Sequence, residues 1–320
     1  MVSDAGRRGP RIIAVINQKG GVGKTTSAVN LGAALSEAGQ RVLMIDLDPQ
    51  AHMSLHLGVD AANVEQSVYD ILVDENCLVN DAVVRVDDNL DAIPAETDLA
   101  AAESELASTA DRNSILRTRL ADLLSRYDVV LIDCPPSLGL LTLNALTMAT
   151  EVFVPMQAHF LALQGVGKLL ETIGMVCGSV NPELQVTGII LCMHERQTML
   201  AKEVVSDLES FIESSRDQDV PWRSCRVLQP PIRRNIKLAE APSFGQTIFQ
   251  YEPTCHGAND YRALASDVLA AWNPEITAEV DCIVETPPTT SETVNDDPPL
   301  DVNNDHAKVA GSDRDHVESS

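Results

Sequence analysis

A glycine-rich segment near the N-terminus carries the residue types that bind phosphate. Gly20, Gly21 and Gly23 precede Lys24 and Thr25. Glycines permit positive φ and let successive backbone N–H groups converge on an anion that a Cβ would obstruct. In the loop pattern G-x-x-x-x-G-K-[ST], the lysine reaches the β- and γ-phosphates of a nucleotide and the hydroxyl binds Mg²⁺. The segment therefore predicts a site for a nucleotide with Mg²⁺, the alternative being an ordinary glycine-rich turn.

Acidic residues follow two other apolar segments. Asp46 and Asp48 come at the end of one run, residues 41–47, and Asp133 ends another, residues 127–133. In phosphate-binding folds, an acid at the end of a buried strand commonly binds Mg²⁺, directly or through water. Because carboxylates two apart in an extended chain share a side, Asp46 and Asp48 could both approach the metal and the γ-phosphate. The alternative for all three is a capping or turn aspartate.

These groups need a scaffold in which apolar strands end at one edge and helices follow them. The apolar runs predict strands at 12–16, 41–47, 91–94, 127–133, 152–155 and 187–193. Helical periodicity and caps predict helices at 26–38, 68–73, 114–125, 199–211 and 258–272, and another that ends near 176. This alternation predicts an α/β fold with a doubly wound, mainly parallel sheet, whose ligands bind at the carboxyl ends of the strands.

Composition narrows the class of protein. Apolar residues make up 44% of the 320 and aromatic residues only 3%, which suits parallel strands buried on both faces. The net charge of −24 argues against a generally basic nucleic-acid binder. Seven cysteines without a C-x-x-C pair indicate a reduced, cytoplasmic protein. No apolar run approaches the ~20 residues of a membrane helix, so no membrane partner is expected.

The phosphate-binding segment, residues 17–26, departs from the ordinary loop in one respect. Gln18 stands where the first glycine would be, and Lys19 follows it. This Lys-Gly-Gly-x-Gly-Lys-Thr sequence resembles the deviant Walker A loop of the ParA/MinD superfamily of ATPases, and its ParA/Soj branch in particular. Further segments resemble motifs of that branch: residues 46–50, 93–103, 133–139 and 230–245.

The resemblance implies a role for each candidate residue. Lys19 would contact the nucleotide of a partner subunit, so that a homodimer encloses two ATP molecules. Asp48 would position or activate the attacking water, and Asp46 would support the Mg²⁺ shell beside Thr25 and Asp133. The implied nucleotide-binding residues are Lys19, Gly20, Gly21, Val22, Gly23, Lys24, Thr25, Thr26 and, on the adenine side, Asn235.

Family members bind DNA without sequence preference, which implies a third set of residues. The candidates here are Arg196, Arg234 and Lys237; Lys237 matches a family position, and Arg196 is displaced by one from another. The match has departures, because Gln197 stands where the family has arginine and Arg233 replaces a family proline. Such binding is electrostatic and weakens with salt. The alternative is a solvated basic surface that balances nearby acids.

The resemblance covers residues 11–273, which we expect to form one ATPase domain. Residues 1–10 are expected to be a flexible N-terminal arm, and residues 274–320 a disordered acidic tail. The tail holds twelve acidic residues against Lys308 and Arg314 and has too little apolar content to fold.

The function implied is slow ATP hydrolysis, stimulated by a ParB-type centromere-binding protein, in chromosome or plasmid segregation on the nucleoid. One alternative is a regulator that ATP binding switches without hydrolysis. A MinD-like membrane ATPase is disfavoured because the tail lacks a basic amphipathic helix. A reductase like nitrogenase iron protein is disfavoured because Cys134 lacks a matching cluster cysteine. His159, where relatives usually have an acid, is interpreted as structural rather than as a catalytic base.

Overall fold

One eight-stranded sheet forms the centre of the computed structural model, which describes residues 9–60, 64–159, 162–195 and 197–272. Its strands are β1 (Arg11–Val15), β2 (Val42–Asp46), β3 (Val84–Asp87), β4 (Leu90–Ile93), β5 (Val129–Asp133), β6 (Glu151–Met156), β7 (Gln185–Leu191) and β8 (Arg226–Val227). Their order is β3-β4-β2-β5-β1-β6-β7-β8, and only the β3–β4 pair is antiparallel. The predicted doubly wound, mainly parallel α/β fold is confirmed.

Helices connect the strands on both faces of the sheet. They are α1 (Lys24–Glu37), α2 (His52–His56), α3 (Val68–Val73), α4 (Leu99–Glu105), α5 (Ile115–Leu124), α6 (Leu140–Met148), α7 (Ala162–Ser179), α8 (Met199–Ser215), α9 (Ile236–Glu240), α10 (Ile248–Tyr251) and α11 (His256–Trp272). The sequence pattern did not predict β3 or β8. Both are short edge strands, of four and two residues, so they carry little periodic signal.

The central strand β1 shows why the sheet needs helices on both sides. Ile13 and Val15 pack into one hydrophobic cluster together with residues of α1 and α11. Ile12 and Ala14 point the other way, into a cluster formed with α5, α6 and α7. Because successive strand residues face opposite sides, an all-apolar strand must be covered twice. This double burial fixes the strand whose end carries the glycine-rich loop.

Helix α1 lies unusually close to the sheet. A Cβ added to Gly32 would come within 2.9 Å of Met44 Sδ and 3.1 Å of a methyl carbon of Leu131. The glycine therefore lets α1 pack directly on β2 and β5, which holds the start of the helix beside the ends of those strands.

The described residues belong to one compact unit, Met1–Pro274. Most of the predicted arm, residues 1–8, and the predicted acidic tail, residues 274–320, lie outside the described residues. None of the helices in the described ranges combines the length and the apolar content that crossing a bilayer requires.

Candidate nucleotide site

The glycine-rich loop follows β1 at the point of the sheet where the strand order reverses. Strand β1 lies between β5 and β6; the chain next forms β2, beyond β5, and reaches β6 later. In open α/β sheets, ligands bind at the carboxyl ends of strands where the strand order reverses in this way. The loop that follows β1 is therefore at the switch point of the sheet.

The backbone of the loop adopts conformations that favour glycine. Gly21 and Gly23 have φ values of 70° and 97°. Gly23 is the N-cap of α1, and its carbonyl accepts the first helical hydrogen bond, from Ser27 N–H, at 2.9 Å. No side chain caps α1 within the described chain, so its first N–H groups are left for an anion. Lys24 is buried in this cradle, with 8% of its surface exposed.

The remaining loop residues line the same turn. Val22 is buried, Thr25 and Thr26 are half-buried at the start of α1, and Gly20 is exposed. Helix α1 thus presents hydroxyls and backbone donors where the sequence predicted phosphate and Mg²⁺ binding.

Asp46 and Asp133 lie side by side at the ends of β2 and β5. They are register partners in this strand pair, and both are fully buried. Neither carboxylate oxygen of Asp133 has a hydrogen-bond partner of good geometry among the described residues. Burial, and then the charge of Asp46, raise the pKa of Asp133 well above its usual range, while the Thr25 hydroxyl and the Lys24 ammonium act in the opposite direction. A buried carboxylate that lacks a hydrogen bond of good geometry is a strong candidate for binding a cation.

Asp46 is held differently, by hydrogen bonds from its own neighbourhood. It accepts from the backbone N–H of Ser54 at 2.9 Å, from Ser54 Oγ at 2.8 Å and from the Asp48 N–H at 3.1 Å. Burial raises the pKa of Asp46 to about 6, and the hydrogen bonds from Ser54 partly offset this. Ser54 also accepts from the Ala95 N–H at 3.0 Å. Sequence reasoning did not find Ser54, because a serine in a short helix carries no signal of such a partner.

Asp48 is half-exposed in the loop after β2. One of its carboxylate oxygens accepts from the Gln50 N–H at 3.0 Å, which tightens the turn. Its charge raises the pKa of both Asp46 and Asp133, so the three carboxylates lie close enough to interact electrostatically. The structure thus brings together the acids that the sequence singled out.

Lys19 lies on the exposed side of the loop and contacts the segment after β6. Its Nζ is 3.3 Å from His159 Nδ1, and His159 Nε2 is 2.7 Å from Gln157 Oε1. Partial burial and the charge of Lys19 lower the pKa of His159. The Lys19–His159 contact joins residues 140 positions apart, and no sequence pattern indicated it.

Asn235 caps a short helix. Its Oδ1 accepts from the Lys237 N–H at 2.9 Å at the start of α9, so the amide already has a structural role there. A backbone bridge between His194 and Arg233 places the loop after β7 beside this helix. The two predicted DNA-contact regions are therefore neighbours, although Arg196 itself lies outside the described residues.

The basic window 223–237 is largely neutralised by acids. Each of its five cations forms an ion pair: Arg223 with Asp219, Arg226 with Asp267, Arg233 with Asp260, Arg234 with Glu195, and Lys237 with Glu240. Arg234 and Lys237 remain exposed, at 68% and 39% of the side chain.

Arg233 is paired with a buried acid, because its guanidinium donates to Asp260 of α11 through two nitrogens. Its backbone N–H donates to the same carboxylate, at 3.1 Å. The arginine in place of the family's proline thus ties this segment to α11.

The residues at the strand ends suit Mg²⁺ in the presence of a nucleotide. No three His, Cys, Asp or Glu side chains within the described ranges group into a complete metal site. Mg²⁺ usually binds through one or two carboxylates together with phosphate oxygens and water. Asp133 and the hydroxyl of Thr25 are oxygen donors of the kind that such a shell uses.

Known proteins match most of the chain. A family model described as an AAA domain matches residues 10–186. The sporulation initiation inhibitor protein Soj of Bacillus subtilis is 44% identical over 260 residues, which cover 81% of this chain and 98% of that protein. The chromosome partitioning protein ParA of Caulobacter vibrioides is 42% identical over 262 residues, covering 81% and 94%.

Solved structures match over a similar length. Cobyrinic acid a,c-diamide synthase from Mycobacterium smegmatis, with a bound ATP analogue and magnesium, is 39% identical, with a TM-score of 0.68 over 82% of this chain and 96% of that one. A putative plasmid partition protein from Borrelia burgdorferi, bound to AMPPNP, is 25% identical, with a TM-score of 0.66 over 82% and 99%.

Proposed function

Because the chain belongs to the ParA/Soj family of chromosome-partitioning ATPases, we propose that it is a nucleotide switch for DNA segregation that binds ATP with Mg²⁺ and hydrolyses it. The observation that carries the proposal is the buried carboxylate of Asp133, whose oxygens lack a hydrogen bond of good geometry among the described residues and which lies beside Thr25 and Lys24 at the start of α1. An acid kept in that state costs folding stability, and a cation bound there with a nucleotide offsets this cost.

Each residue of the site has a distinct task in this proposal. The backbone N–H groups from Gly20 to Thr26 bind the phosphates, and Lys24 neutralises their charge. Thr25 and Asp133 hold Mg²⁺, which supplies charge stabilisation at the transferring phosphoryl group. Asp48, the half-exposed acid of the group, orients the attacking water, while Asp46 fixes the loop that carries Asp48.

The switch proposed is a change of assembly. Lys19 contacts the nucleotide of a partner subunit, so ATP joins two chains, and hydrolysis separates them. Joining two chains places two copies of Arg234 and Lys237 on one particle, which multiplies the phosphate contacts available to non-specific DNA. Asn235, beside these residues, is proposed to border the adenine. A ParB-type protein is the proposed activator of a slow basal hydrolysis on the nucleoid.

Phosphate release and nucleotide binding, measured together, test the enzymatic part. We expect hydrolysis that requires Mg²⁺, loss of Mg²⁺-dependent nucleotide binding in Asp133→Asn, and retained ATP binding without hydrolysis in Asp48→Ala. Asp122→Asn, which removes an exposed acid from α5, is the matched control and should behave as wild type. Unchanged turnover in Asp48→Ala would refute the assignment of that residue. ATP binding without any hydrolysis, even with DNA and a ParB-type protein, would indicate a regulator instead.

A further inference from the structure

The glycine-rich loop is bound on its outer side by three residues at and after the end of β6, which we call the clasp: Pro155, Gln157 and His159. Asn17 Nδ2 donates to the Pro155 carbonyl at 2.7 Å, and Asn17 Oδ1 accepts from the Lys19 N–H at 2.9 Å. Gln157 Nε2 donates to the Gly21 carbonyl at 3.1 Å. The clasp therefore holds the loop on both sides of Lys19.

The hydrogen bonds of the clasp determine which nitrogen of His159 carries the proton. Gln157 uses its amide nitrogen to reach Gly21, so its Oε1 is the atom that faces His159 Nε2, at 2.7 Å. An oxygen there can only accept, so Nε2 must carry the proton. Nδ1 then keeps its lone pair and faces Lys19 Nζ at 3.3 Å. An ammonium group only donates, so the Lys19–His159 contact requires neutral His159 in this tautomer.

The two lysines of the loop are thus held in different ways. Lys24 is buried, and its charge acts on Asp133 within the cradle. Lys19 is exposed and bound by an uncharged acceptor. A neutral acceptor fixes the position of an ammonium group without cancelling its charge, and it competes poorly with a phosphate.

From this geometry we propose that His159 is a positioning residue, which holds Lys19 against its own subunit and must release it before Lys19 can contact a nucleotide bound by a second copy of the chain. The inference rests on the proposed function, since that function supplies the second nucleotide. His159 would then affect the dissociation constant of the ATP-bound dimer without contacting ATP itself.

The size of the effect follows from the contact that is lost. A partly exposed hydrogen bond to a charged group shifts an equilibrium by about two- to five-fold. A symmetric dimer releases two such contacts, so the dissociation constant of the ATP-bound dimer should change by roughly four- to twenty-five-fold. His159→Ala removes the acceptor and should tighten the dimer. His159→Glu replaces it with a carboxylate and should weaken the dimer.

The first test is an NMR titration of His159 in the nucleotide-free chain. Among the charged groups that the structure describes, Lys19 is the one that moves the pKa of this histidine, and it lowers it. Lys19→Ala should therefore raise the pKa of His159 and shift its Nδ1 resonance. If the pKa and the Nδ1 resonance of His159 were the same in wild type and in Lys19→Ala, the Lys19–His159 contact would be refuted.

The second test is sedimentation equilibrium with ATP and Mg²⁺, in the Asp48→Ala background so that ATP persists. His159→Asn is the conservative control, because its Oδ1 can take the place of Nδ1 and should keep the dimer near wild type. A dimer that is no tighter in His159→Ala than in wild type would overturn the proposal. If no variant formed a dimer, the proposed function would fail, whereas the NMR titration would still decide whether His159 holds Lys19.

Discussion

Replacing Ser54 with alanine should destabilise the fold around the strand ends. The Ser54 hydroxyl donates to Asp46 Oδ2 at 2.8 Å and accepts from the Ala95 N–H at 3.0 Å. All three residues are buried, with at most 1% of their surface exposed. Ser54→Ala removes a hydrogen bond to a charged group and leaves a buried N–H without its acceptor. Both losses act on the segment that positions Asp48.

The magnitude depends on pH. Losing a hydrogen bond to a carboxylate costs ~1.5–3 kcal/mol, and an orphaned buried N–H costs ~1–3 kcal/mol. Because the two belong to one network and do not add fully, we expect a loss of about 2–4 kcal/mol in the free energy of unfolding at pH 8. Burial raises the pKa of Asp46 from 3.8 to about 6, so its ionisation opposes folding progressively between these two pH values and fully above them; in the folded protein it is mostly protonated at pH 5.5. There the loss should fall to about 1–2 kcal/mol, since mainly the N–H penalty remains.

Urea unfolding at the two pH values measures this difference. Ser210→Ala is the control, because the exposed Ser210 hydroxyl only bonds to the Ser206 carbonyl of its own helix; its loss should stay below about 0.5 kcal/mol. A loss below about 1 kcal/mol for Ser54→Ala at pH 8, or an equal loss at both pH values, would refute the reasoning.

Two further sets of substitutions test the loop and the basic window. Gly23→Ala forces a side chain into φ 97° and against Cys192 at 3.4 Å, so it should weaken ATP binding at least tenfold by calorimetry. Gly178→Ala, on α7 and outside the loop, meets nothing within 4 Å and should bind ATP normally; equal effects of the two substitutions would contradict the geometry. Glu195→Gln combined with Glu240→Gln frees Arg234 and Lys237, so fluorescence anisotropy should show tighter DNA binding and a salt dependence steeper by about one unit per cation. Unchanged affinity would mean that these ion pairs do not limit binding.

The sequence predicts the loop well because its signal is local. Three glycines, a lysine and a hydroxyl follow an apolar strand, and α1 begins at Lys24, within two residues of the predicted start. Strand β5 ends at Asp133, as its apolar run indicated. Each of these features depends on residues that are adjacent in the chain, so pattern and propensity suffice.

The contacts of the site could not be predicted, because they join distant segments. Lys19 meets His159 across 140 positions, and the side chains of the basic window pair with acids such as Asp260 on α11 and Glu195 after β7. The sequence identified the basic residues but not the acids that neutralise them. Packing of the helices on the sheet sets these pairs, and no local periodicity encodes them.

The proposed DNA switch can be tested by measuring binding to non-specific DNA with ATP, with ADP and without nucleotide, at two salt concentrations. A nucleotide switch of the proposed kind should show salt-sensitive binding with ATP only, weakened by Lys237→Ala and abolished by Lys19→Ala, which prevents the joining of two chains. DNA binding of equal strength in all three nucleotide states, or none in any state, would contradict a nucleotide switch that acts on DNA.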